Sequence, residues 1–494
     1  MQIFPAIHDQ SILNAAAKHA REKGVVLPTF SELASPKTIA PEIISAVKKT
    51  PANKPDPGNL FRINWFNDND GGLQQQPAWL EIPPSISGVR ARIVVVLGDS
   101  FPMIEAHKVL AAYACLVTRL VTGRFDPQVN KAIWPSTGNY CRGGIAISRI
   151  LECRGVAVLP EQMSRERFNW LENWTLRPDE DIIRTTGSES NVKEIYDACD
   201  ELSRDPNSVV LNQFNEFANY LCHRSVTGPS MANLYQHVAT RGETLHAFIA
   251  GTGSAGTIAA GDYLKQTFGT NIVATEPLEC PTMQNNGYGE HHIQGIGDKH
   301  IPLIHNVMNM DYLIGISDSG PDFLNILFNT PSGKQYLQQR TAVSEQLVDS
   351  LTHIGISGLA NIQSAIKLAK YSDLDENNIL LCVATDGANL YKSELDDYEQ
   401  VHFAGNTSLT DAAEIFGRCL AGCEPAYVNE LSSQDKKRIF NLGYYTWVEQ
   451  RGISVEHFNR RKKQSFWDDI ADQLPEWDKL INHFNLESGA TISN

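Results

Sequence analysis

Three short stretches carry residue types that could do chemistry together. The first begins at position 246 and reads "HAFIAGTGSAGTIAAGDYLKQT". There Gly251, Gly253 and Gly256 form a GxGxxG between an apolar run and a helix-like run. Glycines let the backbone approach an anion closely, and the N–H groups that open the next helix point at it. Thr257 adds a hydroxyl. Taken alone, the loop fits three readings: a dinucleotide site with Glu276 as its acidic residue, the phosphate site of another cofactor, or a plain tight turn.

The second stretch is "DSFPMIEAHKVLAAYAC", where Lys108 sits at the entry to a helix. The helix dipole disfavours a cation at that end. Such a lysine is either a solvated surface residue or a partly buried amine of lowered pKa, able to form a Schiff base. The third, "WPSTGNYCRGGIAISRI", puts Ser136, Thr137, Gly138 and Asn139 at another helix start. It suits a carboxylate, or else it is an N-cap with a turn.

The elements that must position these residues alternate. "ARIVVVLGDS", "KAIWPST", "VAVLP", "DIIRTT", "SVVLNQF", "TLHAFIAGTG", "NIVATEP" and "NNILLCVATDG" read as strands, with helical runs such as "KVLAAYACLVTRLVTG" and "NVKEIYDACDELSRD" among them. Repeated strand–helix alternation predicts parallel sheets flanked by helices. Residues 11–49 read as two helical segments broken by "LPTFSELASPKT", and 48–59 as a Pro/Asn-rich linker. From about residue 400 the texture turns helical and rich in charge and aromatics.

The bulk numbers bound the partners. A net charge of −15 argues against nucleic acid or an anionic membrane surface. No apolar run approaches the ~20 residues of a membrane span, and the N-terminus lacks a secretory pattern, so a cytoplasmic protein is expected. The nine cysteines are scattered and fit reduced thiols. Cys419 and Cys423 share a helical face with no ligand pair beside them, so they read as buried small residues and no metal site is expected.

Together the three stretches resemble the cysteine synthase family, within the tryptophan-synthase-β-like (fold type II) pyridoxal-phosphate enzymes. "LNQFNEFANYLCHRSVTGP", "GTGSAGTI", "HHIQGIGDKHIP" and "GISGLANI" are similar to further motifs of that family, over roughly residues 55–400. The resemblance implies pyridoxal 5'-phosphate, a homodimer and an amino-acid substrate. It implies that Lys108 holds the cofactor and moves the substrate's Cα proton, while Gly253, Ser254, Ala255, Gly256 and Thr257 bind the phosphate. Glu276 then merely ends a strand. Asn139 would meet the ring's phenolic oxygen; Ser136, Thr137, Gly138 and Gln213 would hold the substrate carboxylate. Thr385 aligns with a hydroxyl residue that meets the ring nitrogen, which favours chemistry at the β-carbon over a strong electron sink. Asp386 stands one residue away, and a register shift of one would reverse that argument.

The implied reaction is β-replacement through an aminoacrylate. Alternatives are β-elimination, as in serine/threonine dehydratases or cysteine desulfhydrases, and a non-catalytic binding protein that keeps the fold. The chain departs from the family at Ala106 and His107, and at Tyr140 and Arg142. Arg142 fits either a second anionic group of the substrate or the outer face of its helix; His291 and His292 read as surface or hydrogen-bonded histidines rather than residues of the cleft mouth. The expected organisation has four parts: a helical extension (1–55), a large cofactor-binding α/β domain (56–104 and 215–400), a small α/β substrate domain (105–214) and a helical tail (401–494). The tail is expected to cap a dimer or narrow the cleft.

Overall fold

Runs of β-branched and apolar residues build the frame. The computed structural model describes residues 4–68 and 72–492, and folds these runs into two sheets. In chain order the strands are β1 (Trp79–Ile82), β2 (Arg92–Leu97), β3 (Lys131–Pro135), β4 (Arg154–Pro160), β5 (Ile182–Thr185) and β6 (Ser208–Val210). There follow β7 (Thr244–Gly251), β8 (Asn271–Pro277), β9 (Tyr312–Ile316), β10 (Asn378–Ala384) and β11 (Val428–Glu430). The larger sheet has the order β1-β2-β10-β7-β8-β9-β11 and the smaller β5-β4-β3-β6. Pairing is parallel throughout, except that β1 and β11 close the edges of the larger sheet antiparallel. The α/β architecture read from the alternation is therefore the observed one.

β2 shows why both faces are covered. Val94 and Val96 join one apolar cluster with Leu110 and Tyr113 of the helix Lys108–Leu120. Ile93 and Val95 join a second, with Leu359, Ile362 and Ile366 of the helix Ile356–Tyr371. β10 divides in the same way, Leu381 and Val383 against Leu380 and Cys382. A strand apolar on both faces must lie between two layers. Among the described residues no helix is long and apolar enough to cross a membrane.

Register sets where the chemistry can gather. Ala384 of β10 pairs with Leu97 of β2, and Cys382 with Ile249 of β7. The three strands therefore finish at one edge and release the loops that begin at 98, 252 and 385. β3 ends at Pro135 beside Val158 and releases the 136–138 loop. Ligands of parallel sheets collect outside these carboxyl ends.

The structure differs from the sequence reading in three places. The break at "LPTFSELASPKT" holds a helix, Phe30–Ala34, started by a capping box in which Thr29 and Glu32 exchange hydrogen bonds. β1 went unread because its four residues alternate between buried and half-buried positions with no apolar run, and β9 because Gly315 interrupts its apolar run. The tail contributes β11, whose polar "VNE" joins the sheet through backbone bonds alone and leaves no side-chain pattern to read.

Segments near both ends of the described residues pack into the core. The helix Gln10–Glu22 lies on Leu474–Ser488, and the backbone of Leu27 exchanges two hydrogen bonds with the Asn485 side chain. Trp447 Nε1 donates to the Ile301 carbonyl at 2.7 Å, and Arg461 Nη1 to that of Leu303 at 2.7 Å. Trp467 is fully buried against Tyr220, with ring centroids 4.7 Å apart, and touches Phe217. Truncating Trp467 to Ala should cost about 3–5 kcal/mol, measured by denaturant titration. A chain ending near residue 400 should be insoluble. Full-length stability in either variant would contradict this packing.

Candidate active site

Lys108 opens its helix yet is only 9% exposed. Its Nζ donates to Ser254 Oγ at 3.2 Å, which joins the second and first motifs. Burial pushes the amine down to about 8, against the opposing pull of Asp298, Cys222 and Glu189. Of the two readings left open for this lysine, the buried amine is the one observed. His107 stacks on Trp65 at 5.2 Å, and its Nε2 lies 2.9 Å from Thr257 Oγ1. Burial first, then the charge of Lys108, holds this imidazole down at about 3, so it stays neutral.

The glycine turn is shaped from below by Asn219. The Asn219 Nδ2 donates to the Gln213 carbonyl at 3.0 Å and to Ser254 Oγ at 3.2 Å. A Cβ on Gly256 would overlap Asn219 Oδ1, so only glycine lets the turn sit so close. Ala255 takes φ 61°, the left-handed region. Glu276 accepts the N–H groups of Met283 and Gln284 at 2.9 and 2.7 Å, which spends it on local structure rather than on a ribose.

The third motif sits on the helix Asn139–Ile150, which packs beside Lys108–Leu120. Ser136 Oγ accepts the Gly138 N–H at 3.0 Å, and the Thr137 hydroxyl donates to Glu189. Asn139 Nδ2 donates to Asp386 Oδ2 at 2.6 Å, while its Oδ1 accepts from Arg142 Nη1 at 2.9 Å. Gln213 is buried, and its Oε1 has no partner among the described residues. Thr385 engages through its backbone: its carbonyl accepts the His107 N–H at 3.2 Å. Its side chain is half-buried.

Several groups escaped the sequence reading. Glu189 and Asp298 are buried carboxyls whose fields reach Lys108. Burial pushes Glu189 up to about 7 and Asp298 well above the usual carboxylate range. Glu189 lies in the loop after β5, at a sheet's carboxyl end, and that placement was its only signal. Arg167 Nη2 donates to the Tyr391 hydroxyl at 3.0 Å and lies 3.9 Å from Asp386 Oδ2. Of the two placements open for Arg142, the outer face is excluded: it is 2% exposed, with its guanidinium 5.0 Å from the Trp170 ring. His291 is buried on the Gly297 carbonyl at 2.8 Å, whereas His292 is exposed. All nine cysteines are buried thiols, Cys419 and Cys423 within an apolar cluster.

A family model described as pyridoxal-phosphate dependent enzyme matches residues 87–319. Cysteine synthase B of Campylobacter jejuni is 30% identical over 233 residues, 46% of this chain and 68% of that protein. The chain belongs to the cysteine synthase-like pyridoxal-phosphate enzymes. A Bacillus subtilis protein named "Probable cysteine synthase" is 28% identical over 288 residues, 57% of this enzyme and 83% of that protein. A solved structure of a hydrogen sulfide-producing enzyme from Fusobacterium nucleatum shares the fold, with TM-score 0.53 and 20% identity over 72% of this chain and all of that one.

The residues of the enzyme fit pyridoxal 5'-phosphate. The site holds a buried amine, a turn that only small residues can form, and polar atoms on Gln213, Glu189 and Asp386 that have no hydrogen-bond partner among the described residues. Adding a methyl at Gly256 (Gly256→Ala) should weaken cofactor retention at least about tenfold, roughly 1.4 kcal/mol. The checks are bound-cofactor absorbance after gel filtration and circular dichroism to confirm the fold. Unchanged retention would remove the turn from the site.

Proposed function

We propose that the enzyme carries out β-replacement on an amino acid bearing a leaving group at its β-carbon. The observation that carries this reading is the buried Lys108 amine set against the Gly253–Thr257 turn. The relatives named cysteine synthases support it. Backbone N–H groups of the turn, with Ser254 and Thr257, hold the cofactor's phosphate; Lys108 holds its aldehyde carbon; the second N–H of Asn139 meets the phenolic oxygen. Bound there, the cofactor weakens the substrate's Cα–H bond by drawing its electrons away, which lets a β-substituent leave and a nucleophile add.

The chain's own groups do the rest. Ser136, Thr137 and Gln213 orient the substrate carboxylate. Thr137 already donates to a carboxylate, that of Glu189, so a substrate must take over that hydrogen bond. Glu189 then takes up a proton, as its raised pKa of about 7 permits. Lys108 Nζ receives the Cα proton and returns it. A homodimer goes with this reading; sedimentation at the mass of one chain would exclude it.

A second reading is elimination to a keto acid and ammonia. It is favoured by Glu189 and Asp298, two buried carboxyls whose fields reach Lys108 and whose raised pKa values let them hold a proton near neutral pH. Product analysis separates the two. Replacement yields a new amino acid only when a nucleophile is supplied; keto acid formed without one marks elimination.

Lys108→Ala should abolish both cofactor attachment and turnover. The amine accepts a proton below its pKa and is free above it. Attachment of the cofactor to the apo-enzyme should therefore speed up through about pH 8, not near the ordinary lysine value of 10.5. A rate that climbs only above pH 10 would show an unburied amine.

A further inference from the structure

Asp386 is a tightly held carboxylate of the site whose second oxygen has no partner among the described residues. The side chain is 0% exposed. Oδ2 accepts from Asn139 Nδ2 at 2.6 Å and from the Tyr391 hydroxyl at 2.8 Å, with Arg167 Nη2 3.9 Å away. Oδ1 is buried and has no hydrogen-bond partner among the described residues. The backbone is held as firmly. Asp386 bridges Ala106, two residues before Lys108, and its carbonyl accepts the Gly355 N–H at 2.8 Å. A Cβ on Gly355 would overlap Oδ1, so a glycine there makes room for this carboxylate.

Thr385 offers no comparable contact. Its hydroxyl makes no hydrogen bond among the described residues, and its carbonyl is spent on His107.

An ionised carboxylate only accepts. The cofactor brings a phosphate, an aldehyde carbon taken by the lysine, a phenolic oxygen and a ring nitrogen. Of these, the ring nitrogen is the one that carries a hydrogen toward a carboxylate while the phenolic oxygen faces an amide donor. We propose that Asp386 Oδ1, rather than the Thr385 hydroxyl, faces the ring nitrogen and keeps it protonated. The proton comes from solvent when the cofactor binds and resides on the nitrogen. Burial pushes the Asp386 carboxyl above its ordinary value; the Arg167 guanidinium 3.9 Å away, the two hydrogen bonds on Oδ2 and the Arg142 charge pull the other way, toward the ionised carboxylate. This rests on the assignment of Lys108 and the turn as the cofactor site. It gives the enzyme a stronger electron sink than a hydroxyl would supply, which withdraws the argument for β-carbon chemistry drawn from Thr385 and leaves β-replacement resting on Lys108, the turn and the relatives.

The test uses holoenzyme loaded with cofactor labelled by 15N at the ring nitrogen. Wild-type enzyme should show the chemical shift of a protonated nitrogen, Asp386→Asn that of an unprotonated one, and Thr385→Val no change from wild type. A cofactor analogue with carbon in place of the ring nitrogen should bind wild-type apo-enzyme at least tenfold more weakly than the natural cofactor. That preference should vanish in Asp386→Asn. Should that variant fail to fold, the wild-type spectrum decides alone. An unprotonated nitrogen in wild type, or a signal that moves with Thr385→Val, overturns the proposal. Borohydride reduction and intact mass guard the underlying assignment. Cofactor attached elsewhere than Lys108, or not at all, overturns both readings; cofactor on Lys108 with an unprotonated ring overturns this one alone.

Discussion

Lys108 keeps its amine out of water, and much of the molecule follows from that placement. A solvated lysine is almost wholly protonated at neutral pH. Lowered to about 8, this one holds roughly a tenth of its population as free amine at pH 7, against a few parts in ten thousand for an ordinary lysine. Enclosing it takes the two helices Lys108–Leu120 and Asn139–Ile150, the glycine turn and the 298 loop. It also leaves nearby cations and carboxyls short of solvent. Lys108, Arg142 and Arg167 face Glu189, Asp298 and Asp386 in one buried polar cluster, so each partner's charge state depends on the others.

The fold brings these groups together through parallel register. Because β2, β10 and β7 end level, residues from three distant parts of the chain converge without any of them being close in sequence. Helices close the flanks, and the tail fastens the 301–303 segment through Trp447 and Arg461. That segment lies three residues after Asp298, and Trp467 packs on Tyr220 beside Asn219, so the tail approaches the site along two routes.

What could be read in advance was local. The amine at a helix start, the glycine turn and the Ser-Thr-Gly-Asn loop each need particular residue types at fixed spacing, and such constraints show in a linear string. The strand–helix rhythm was legible for the same reason. Glu189, Asp298 and Arg167 carry no spacing signature, since only tertiary packing makes them neighbours. The pair Thr385 and Asp386 shows a finer limit. Successive residues at a strand end point to opposite sides, and which of them faces inward depends on the pairing of Ala384 with Leu97, a fact outside the local string. The terminal helices were legible as helices. Their burial was not, because a charged, aromatic-rich surface pattern also suits a helix that covers a core on one side.

The clasp between Leu27 and Asn485 bears on how the chain is made. The first helix buries Leu13, Ala16, Ala17 and Ala20, and Leu474–Ser488 supplies part of their cover. On a ribosome the packing of the first helix must therefore wait until residues 474–488 have emerged. Chaperones that shield apolar helices would be needed throughout that interval, and a ribosome stalled before residue 474 would hold a sticky nascent chain.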